Sequence, residues 1–528
     1  MNNPVPFRRP LVLYAGLLVL ALAGLLAQRY ATSWGGGVSP DSTQYVEGAR
    51  SLLRGEGISS PDGAGTPTPI TLWPPLVSLL LAAPGLLGVE PAEAGRWLTG
   101  LLFAANILLI GHVLARATRN STRAAWAGAA LMLLSPDLFA VHTWIWSEPA
   151  FIFFTLAGCA GLAAYLQQPS LRRSWLAGGA AGLAGLTRYA GAALGLAGIG
   201  LIFLFAGATS FRGRLGRAAG YGAVALGPLA LWMIRNVLVA GSATTRQIGF
   251  HRLYSVHFLP AWETAARWIL PNDTYSPLRA ALLGLLLVCL LLGVARSVRT
   301  FRGQAAEASG SGLLPMCLAA FLACYGAFLF FSKFFVDPLF PLDDRILSPA
   351  QAAIVMLVVL VAHGELERAG RAEPSSLRRR MASTAQVLIV GLLAAQLGLG
   401  ARQSAVWATM AHKEGLGFNS RSWQHSPLVA FVDQLPAEAV VHSNADDGLH
   451  YITERPVWQL PAPTGGTPRP DWVELILARS VGKRSYVVYF DAVTWRETVT
   501  LDDIRENFQF EKIIRPEEGS VLQISAME

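Results

Sequence analysis

Long apolar runs separated by short arginine-rich loops are the feature that most constrains this chain. A helix that crosses a membrane needs about 20 predominantly apolar residues. Only 14% of the residues are charged, whereas soluble domains are about a quarter charged. The sequence therefore predicts an all-α polytopic membrane protein with about 11 transmembrane helices. The candidate spans are residues 11–29, 97–115, 124–142, 149–167, 174–189, 191–208, 218–240, 278–295, 312–331, 346–363 and 384–400.

The arginines predict how the chain is oriented, because cytoplasmic loops are enriched in Arg and Lys. If Arg8 and Arg9 are cytoplasmic, every later basic loop falls on the same side. We therefore expect a membrane protein with a cytoplasmic N-terminus. The formal charge of +8 follows from this loop pattern and does not indicate nucleic-acid binding. The basic loops contain Arg116, Arg119 and Arg123, then Arg172 and Arg173, then Arg212, Arg214 and Arg217, then Arg296, Arg299 and Arg302, and finally residues 367–380.

The segment "WPPLVSLLLAAPGLLG", residues 73–88, is apolar but short and has proline near both ends. If it crossed the membrane, every later basic loop would move to the outer side. We therefore interpret it as a juxtamembrane or re-entrant helix. The two short runs between residues 174 and 208 leave the exact number of spans open there.

The stretch "VSPDSTQYVEGARSLLRGEG", residues 38–57, predicts a capped amphipathic helix directly after the first span. Ser39 is a suitable N-cap, and Tyr45 begins the apolar stripe. Asp41 lies in the first turn, where the helix dipole favours a carboxylate that could accept a proton from a hydroxyl. The alternative is that Asp41 only interacts with the dipole. Glu47, about 1.5 turns further on, is expected to point to another side of the helix.

Cations stand near the predicted outer ends of four spans. Charge at membrane depth is costly and tends to mark a pathway or a site. Several cations on one face suit a phosphate or pyrophosphate, for which arginine offers forked donors. For each residue the alternative is that it extends to lipid headgroups, and Arg345 could instead pair with Asp343 or Asp344. The four residues are Arg188, Arg235, Lys333 and Arg345.

Two further outer-face residues could support a site. Glu148 in "WSEPA" opens a span, where an acidic residue is also ordinary. His251 in "GFHRLY" lies in an outer loop and could touch a headgroup or an acceptor. There is no paired His/Cys spacing for zinc and no nucleotide loop. No cofactor or metal ligand follows from the residues, and the involvement of a divalent metal stays open.

The polar C-terminal part alternates helical and strand patterns, which predicts a small α/β soluble domain. It contains none of the four cysteines, so no disulfide framework is indicated. We expect a transmembrane domain over residues 1–400, with 30–96 as the first outer loop, and an extracytoplasmic α/β domain over 401–528.

Short motifs in a particular order complete the pattern. The chain resembles the GT-C superfamily of membrane glycosyltransferases, especially the bacterial branch near protein O-mannosyltransferases and aminoarabinose transferases. Two positions depart from many relatives: Ser42 replaces a second acidic residue, and Trp73 replaces a basic residue or histidine before the Pro-Pro pair. The matching pieces are "PDSTQYVEGARSLLRGEG", "WPPLVSLLLAAPGLLG", "WSEPAFIFF", "GLTRYAG", "MIRNVLVAG" and "DDRILSPA".

The resemblance implies a GT-C fold in the bacterial cytoplasmic (inner) membrane, with an outer-face active site and a polyprenyl-phosphate sugar donor. Asp41 would be the catalytic base. Arg235 and Arg345, with Arg188 and Lys333 as further candidates, would handle the donor phosphate. An acceptor or supporting role would fall to Tyr45, Glu148, Asp344 and His251.

The function expected from these features is an inverting transfer of a sugar to a hydroxyl on a glycan, lipid or protein. The identities of the sugar and the acceptor stay open. One alternative is a transporter or flippase for a lipid-linked sugar, although such proteins often show repeated halves and none is evident here. Another is a non-catalytic partner in an envelope assembly, with the tail as a binding module.

Overall fold

The computed structural model describes residues 8–205, 210–246, 248–270, 276–303, 313–370, 377–462, 471–494 and 497–526. Part of the basic loop 367–380, namely residues 371–376, lies outside the described residues. The helices are α1 (Arg8–Ala31), α2 (Pro40–Leu53), α3 (Leu76–Gly85), α4 (Pro91–Ala117), α5 (Thr122–Leu134), α6 (Pro136–Val141), α7 (Glu148–Gln167), α8 (Leu171–Thr187), α9 (Ala192–Phe205), α10 (Phe211–Ala240), α11 (Leu259–Arg267), α12 (Ser276–Gly303), α13 (Leu313–Phe335), α14 (Asp344–Gly370), α15 (Leu377–Glu414), α16 (Arg421–Gln424), α17 (Pro427–Asp433), α18 (Asp446–Thr453), α19 (Trp472–Ser480) and α20 (Leu501–Asn507). The strands are β1 (Ser59–Pro61), β2 (Pro67–Pro69), β3 (Val440–Ser443), β4 (Trp458–Gln459), β5 (Ser485–Phe490), β6 (Gln509–Ile514) and β7 (Gly519–Ser525).

Seven helices in the described part of the chain are long and apolar enough to cross a membrane. The chain is therefore a multi-pass integral membrane protein that is mostly helical, as the apolar runs predict. The seven segments are Pro10–Ala31, Pro91–Ala117, Glu148–Gln167, Phe211–Ala240, Ser276–Arg299, Leu313–Phe335 and Asp344–Arg368.

The run 124–142, expected to be one span, is two helices instead. Ser135 has an extended backbone, with ψ of 118°, between α5 and α6. Pro136 explains the break, because a residue that precedes proline is disfavoured in the helical conformation. The single uninterrupted helix expected over 124–142 is therefore wrong.

The segment 73–88 contains only the ten-residue helix α3. At 1.5 Å per residue, α3 is about 15 Å long. A hydrocarbon core is about 30 Å thick. Its length agrees with the interpretation of this segment as a non-spanning helix.

The chain forms two compact units. The helical unit contains residues 1–31, 71–80 and 96–410, and the mixed unit contains residues 32–70, 81–95 and 411–528. The predicted domain bounds, 1–400 and 401–528, stay a prediction, because a compact cluster is not by itself an independently folding domain.

Small residues bring α7, α8 and α10 of the helical unit close together. A Cβ on Gly161 of α7 would lie 3.2 Å from Cα of Ala177 on α8, and one on Gly182 of α8 would lie 3.0 Å from the carbonyl oxygen of Val224 on α10. Such approaches are how small residues let helices pack in a membrane. Because α8 returns antiparallel to α7, the start of α7 and the end of α8 lie at the same end of this pair.

The mixed unit contains a five-stranded sheet in the order β4-β3-β5-β7-β6. Strand β3 is parallel to β4 and to β5, whereas β7 is antiparallel to β5 and β6. Apolar side chains cover both faces: Val441 and Val488 belong to one core, and Val487 and Leu522 to the other. The predicted small α/β region is confirmed as a mixed sheet with packed helices.

Candidate active site

Helix α2, which carries Asp41, forms as its sequence predicts. The Ser39 side chain accepts a hydrogen bond from the backbone N–H of Ser42 at 3.4 Å. Asp41 is the second residue of the helix and is half-buried. Tyr45, a candidate supporting residue, is almost fully buried in the structure. The local sequence thus determines the position of a carboxylate in the first turn of α2.

Glu47, expected to point to another side of α2 than Asp41, contacts two other side chains in the structure. Only 3% of Glu47 is exposed, and its carboxylate lies 2.7 Å from Nη1 of Arg50 and 3.6 Å from Nε2 of His450. Arg50 also reaches Glu90 at 2.7 Å. Glu47 is therefore not a neutral reference position for Asp41.

In the helical unit, Glu148 is the common partner of two of the predicted phosphate-binding cations. Glu148 opens α7 and has 0% exposure. Its Oε1 accepts hydrogen bonds from Nη1 of Arg188 and, at 2.7 Å, from Nε of Arg345. Nη1 of Arg188 also donates to Oγ of Ser147 at 3.0 Å. We call Glu148, Arg188 and Arg345 the carboxylate–arginine cluster.

The geometry of the cluster follows from the fold. Arg188 directly follows α8, at the same end of the α7–α8 pair as Glu148, and Arg345 is the second residue of α14. The Arg345 guanidinium lies 4.4 Å from the centre of the Trp146 ring. One carboxylate between two arginines leaves a formal charge of +1, an arrangement that suits an anion.

Asp343 and Asp344, the alternative partners of Arg345, also contact other residues. Oδ1 of Asp343 accepts a hydrogen bond from the backbone N–H of Ile346 at 3.0 Å. Asp344 pairs with Arg267 at 2.7 Å. The supporting role expected for Asp344 stays a prediction, and in the structure its carboxylate serves an ion pair with α11.

Arg235 lies near the end of α10, beside a buried amide. Its guanidinium donates to Oδ1 of Asn236 at 3.1 Å and lies 4.7 Å from the centre of the Trp232 ring. Asn236 in turn donates to the carbonyl oxygen of Thr71 at 3.3 Å and to the hydroxyl of Tyr189 at 3.4 Å. Tyr189 is the residue after Arg188, so this network connects Arg235 with the carboxylate–arginine cluster.

Lys333 has a different environment. It is 2% exposed, and its ammonium group donates to the carbonyl oxygens of Pro338 and Phe340, both at 2.8 Å. These contacts hold the turn between α13 and α14, and the phosphate-binding role expected for Lys333 stays a prediction. His251 lies beside the end of α13, since its backbone N–H donates to the carbonyl oxygen of Phe334 at 2.8 Å.

Glu148, Arg188 and Arg345 were each predicted as site residues from the sequence, but their contacts with one another were not. The sequence also did not single out Asn236 or Tyr189, whose only local signal is that each follows a named arginine. Among the described residues, no group of three or more His, Cys, Asp or Glu side chains has the arrangement of a metal site.

Comparison with known proteins gives the family of this region. Residues 86–211, which span α4 to the start of α10, match the family model of dolichyl-phosphate-mannose-protein mannosyltransferase, PMT. In this segment the chain resembles the PMT family of membrane glycosyltransferases. Within the PMT match lie Glu148 and Arg188, whereas Asp41, Arg235 and Arg345 lie outside it. No significant sequence match to a curated protein was found.

The whole chain has the GT-C fold. It resembles ArnT from Cupriavidus metallidurans, solved with bound undecaprenyl phosphate, with a TM-score of 0.58 and 14% identity over 96% of this chain and 97% of that one. It is similar to the Archaeoglobus fulgidus oligosaccharyltransferase tethered to an acceptor peptide, with a TM-score of 0.50 and 14% identity over 97% of this chain and 74% of that one.

A third similar structure is the arabinofuranosyltransferase AftD from Mycobacteria, with a TM-score of 0.54 and 15% identity over 97% of this chain and 40% of that one. At these identities the likeness establishes the fold alone. Together with the PMT match, it confirms the GT-C resemblance indicated by the short motifs.

Proposed function

We propose that this protein transfers a sugar from a polyprenyl-phosphate donor to an acceptor hydroxyl, with inversion, at the outer face of the bacterial cytoplasmic membrane. The observation that carries the proposal is the carboxylate–arginine cluster, a net positive group assembled from three helix ends of a GT-C fold. Support also comes from the similar ArnT structure, which was solved with undecaprenyl phosphate bound.

The proposed reaction is one displacement. The acceptor oxygen attacks the anomeric carbon of the donor, and Asp41 takes the hydroxyl proton. The bond between the sugar and the phosphate oxygen breaks, and polyprenyl phosphate leaves with the negative charge. Because the attack and the departure take place on opposite faces of the sugar carbon, a single step inverts the anomeric centre.

The cations have a separate role in this proposal. Prearranged positive groups that face a developing phosphate charge lower the barrier of the step. Arg188, Arg345 and Arg235 are the residues to which we assign this stabilisation. Glu148 supports them by fixing two of the guanidinium groups, and Lys333 holds the neighbouring turn.

A turnover assay tests the proposed activity. The full chain in lipid nanodiscs is mixed with a polyprenyl-phosphate sugar, and released polyprenyl phosphate is measured with glycan, lipid and peptide acceptors in separate reactions. Donor-dependent release with formation of a glycosylated acceptor supports the proposal. Movement of intact donor across sealed vesicles without bond cleavage would instead indicate a flippase.

Replacing Arg235 tests the phosphate assignment. Arg235→Ala should weaken donor use while the protein stays folded, because one charge-assisted contact is worth about 1.5–3 kcal/mol. That loss corresponds to roughly 10- to 150-fold in donor affinity. Arg252, an exposed arginine that contacts Tyr254, gives the matched control Arg252→Ala. Equal donor affinity in both variants would remove Arg235 from the phosphate site.

Cysteine labelling tests the proposed orientation of the chain, in which about 11 spans cross the membrane. An impermeant thiol reagent applied to intact cells should modify Ala64→Cys in the β1–β2 hairpin and Lys483→Cys after α19, but not Gln168→Cys between α7 and α8. All three positions are exposed. The exposed native Cys289 is replaced by Ser in the parent protein. Labelling of Gln168→Cys from outside would contradict the orientation.

A further inference from the structure

Helix α2 is held at its beginning by a distant part of the mixed unit. The backbone N–H of Phe418 donates to the carbonyl oxygen of Val38 at 2.9 Å, and the Asn419 amide donates to the carbonyl oxygen of Gly36 at 2.8 Å. Gly35 has a φ of +104°, and a Cβ there would lie 2.7 Å from Nδ2 of Asn419. The chain thus approaches α2 through a backbone conformation that favours glycine.

The second half of α2 is held by charged side chains. Glu47 faces His450 of α18 with 3.6 Å between Oε2 and Nε2, a distance longer than a hydrogen bond. Arg50 joins Glu47 to Glu90 and lies 3.7 Å from Glu454, which follows α18. These contacts connect α18 with the part of α2 that lies about one and a half turns after Asp41.

The hydrogen bond made by Nδ1 of His450 determines whether Nε2 carries a hydrogen in the neutral ring. Nδ1 lies 2.9 Å from the carbonyl oxygen of Arg455, so Nδ1 must carry a hydrogen to make this bond. A neutral His450 then presents a bare lone pair on Nε2 to the Glu47 carboxylate. Protonation replaces this repulsion with an N–H donor and an attraction between opposite charges.

The charged groups around His450 favour the protonated form. Burial alone would lower its pKa, but Glu47 on α2 and the Arg455 carbonyl raise the pKa above its ordinary value of 6.5, against a smaller opposing effect from Arg50. Burial would raise the pKa of Glu47, yet His450 and Arg50 hold the pKa below its ordinary value of 4.5. Glu90 and Glu454 add negative charge near Arg50.

We propose that protonated His450 is a positioning residue that holds Glu47, and through it the helix that presents Asp41. The proposal rests on the function proposed for Asp41. Glu47 lies six positions after Asp41, about 9 Å along a rigid helix. A loss of the Glu47 contact therefore changes how rigidly the Asp41 carboxylate is held, so His450 acts on Asp41 through Glu47 and the helix.

The sign of the pH effect follows from the two shifts. The His450 pKa is raised in the folded protein, so its stabilisation is complete below about 6.5 and is lost as pH rises through the folded value. The Glu47 pKa is lowered, so its stabilisation is present above about 4.5 and is lost as pH falls through the folded value. The anchoring of α2 should be strongest between these limits.

Hydrogen exchange of α2 in the full chain tests the proposal without any substrate. After correction for the intrinsic exchange rate, protection of residues 40–53 should fall roughly three- to tenfold between pH 6 and pH 8.5, a change that lies within the range of coupling energies between residues in contact. His450→Gln should show, at both pH values, the low protection that the unchanged protein has at pH 8.5. His450→Arg, which keeps a permanent cation, should remove the pH dependence. The control His425→Gln changes an exposed histidine and should behave like the unchanged protein.

Turnover supplies the second measurement. His450→Gln should lower kcat at pH 6 by about the factor seen in exchange and leave the KM for the donor unchanged, and His450→Arg should restore kcat at high pH. Protection of α2 that is independent of pH in the unchanged protein, or equally pH-dependent in His450→Gln, would overturn the proposal. If the pH dependence of α2 protection changes in the His450 variants as expected but the protein shows no sugar transfer, the anchoring of α2 is supported. Only the proposed function is then contradicted.

Discussion

Asp41→Asn should lower turnover by roughly 10²-fold or more, because the amide keeps the size of the side chain but cannot take the acceptor proton. Folding and donor affinity should be preserved, since Asn also serves well near a helix N-terminus. The measurement is kcat for sugar transfer, together with donor affinity and the unfolding temperature of the same preparation. A drop in kcat alone identifies Asp41 as the base.

The control for this experiment is a carboxylate in the same helical position. Asp502 is the second residue of α20, as Asp41 is of α2, and its side chain is 82% exposed. Asp502→Asn should leave kcat unchanged. Glu47 is unsuitable as a control because it is buried and paired with Arg50 and His450. Near-normal transfer by Asp41→Asn would mean that Asp41 only interacts with the helix dipole.

Features that depend on neighbouring residues could be predicted from the sequence. The cap and first turn of α2 follow from Ser39, Pro40 and Asp41, whose effects act within one turn. The mixture of helices and strands in the C-terminal part follows from its alternating helical and strand patterns. Pro136 also indicates the break between α5 and α6. The prediction of one span instead followed the length of the apolar run.

Contacts between distant parts of the chain could not be predicted in this way. Glu148 is separated by 40 residues from Arg188 and by 197 from Arg345. Their pairing depends on how three helices pack, and an isolated acidic residue before a helix has ordinary local explanations. The contact of Glu47 with His450 could not be predicted for the same reason, because His450 lies on a helix near the other end of the chain.

Glu148→Gln should destabilise the helical unit by about 3–5 kcal/mol, the usual cost of removing one partner from a buried ion pair. The neutral amide would leave the Arg188 and Arg345 guanidinium groups close together without a balancing charge. The unfolding temperature and the denaturant midpoint of the purified protein measure the effect. Unchanged stability would show that Glu148 does not hold the two arginines together.

A double variant separates charge balance from simple loss of packing. In Glu148→Gln combined with Arg345→Gln, one positive charge is removed with the negative one, so the like-charge repulsion disappears. We expect the double variant to be more stable than the sum of the two single effects indicates, with a coupling energy of about 0.5–3 kcal/mol. Added polyprenyl phosphate should raise the unfolding temperature of the unchanged protein more than that of the double variant, which lacks one of the assigned arginines. Additive effects would instead place Glu148 and Arg345 in independent roles.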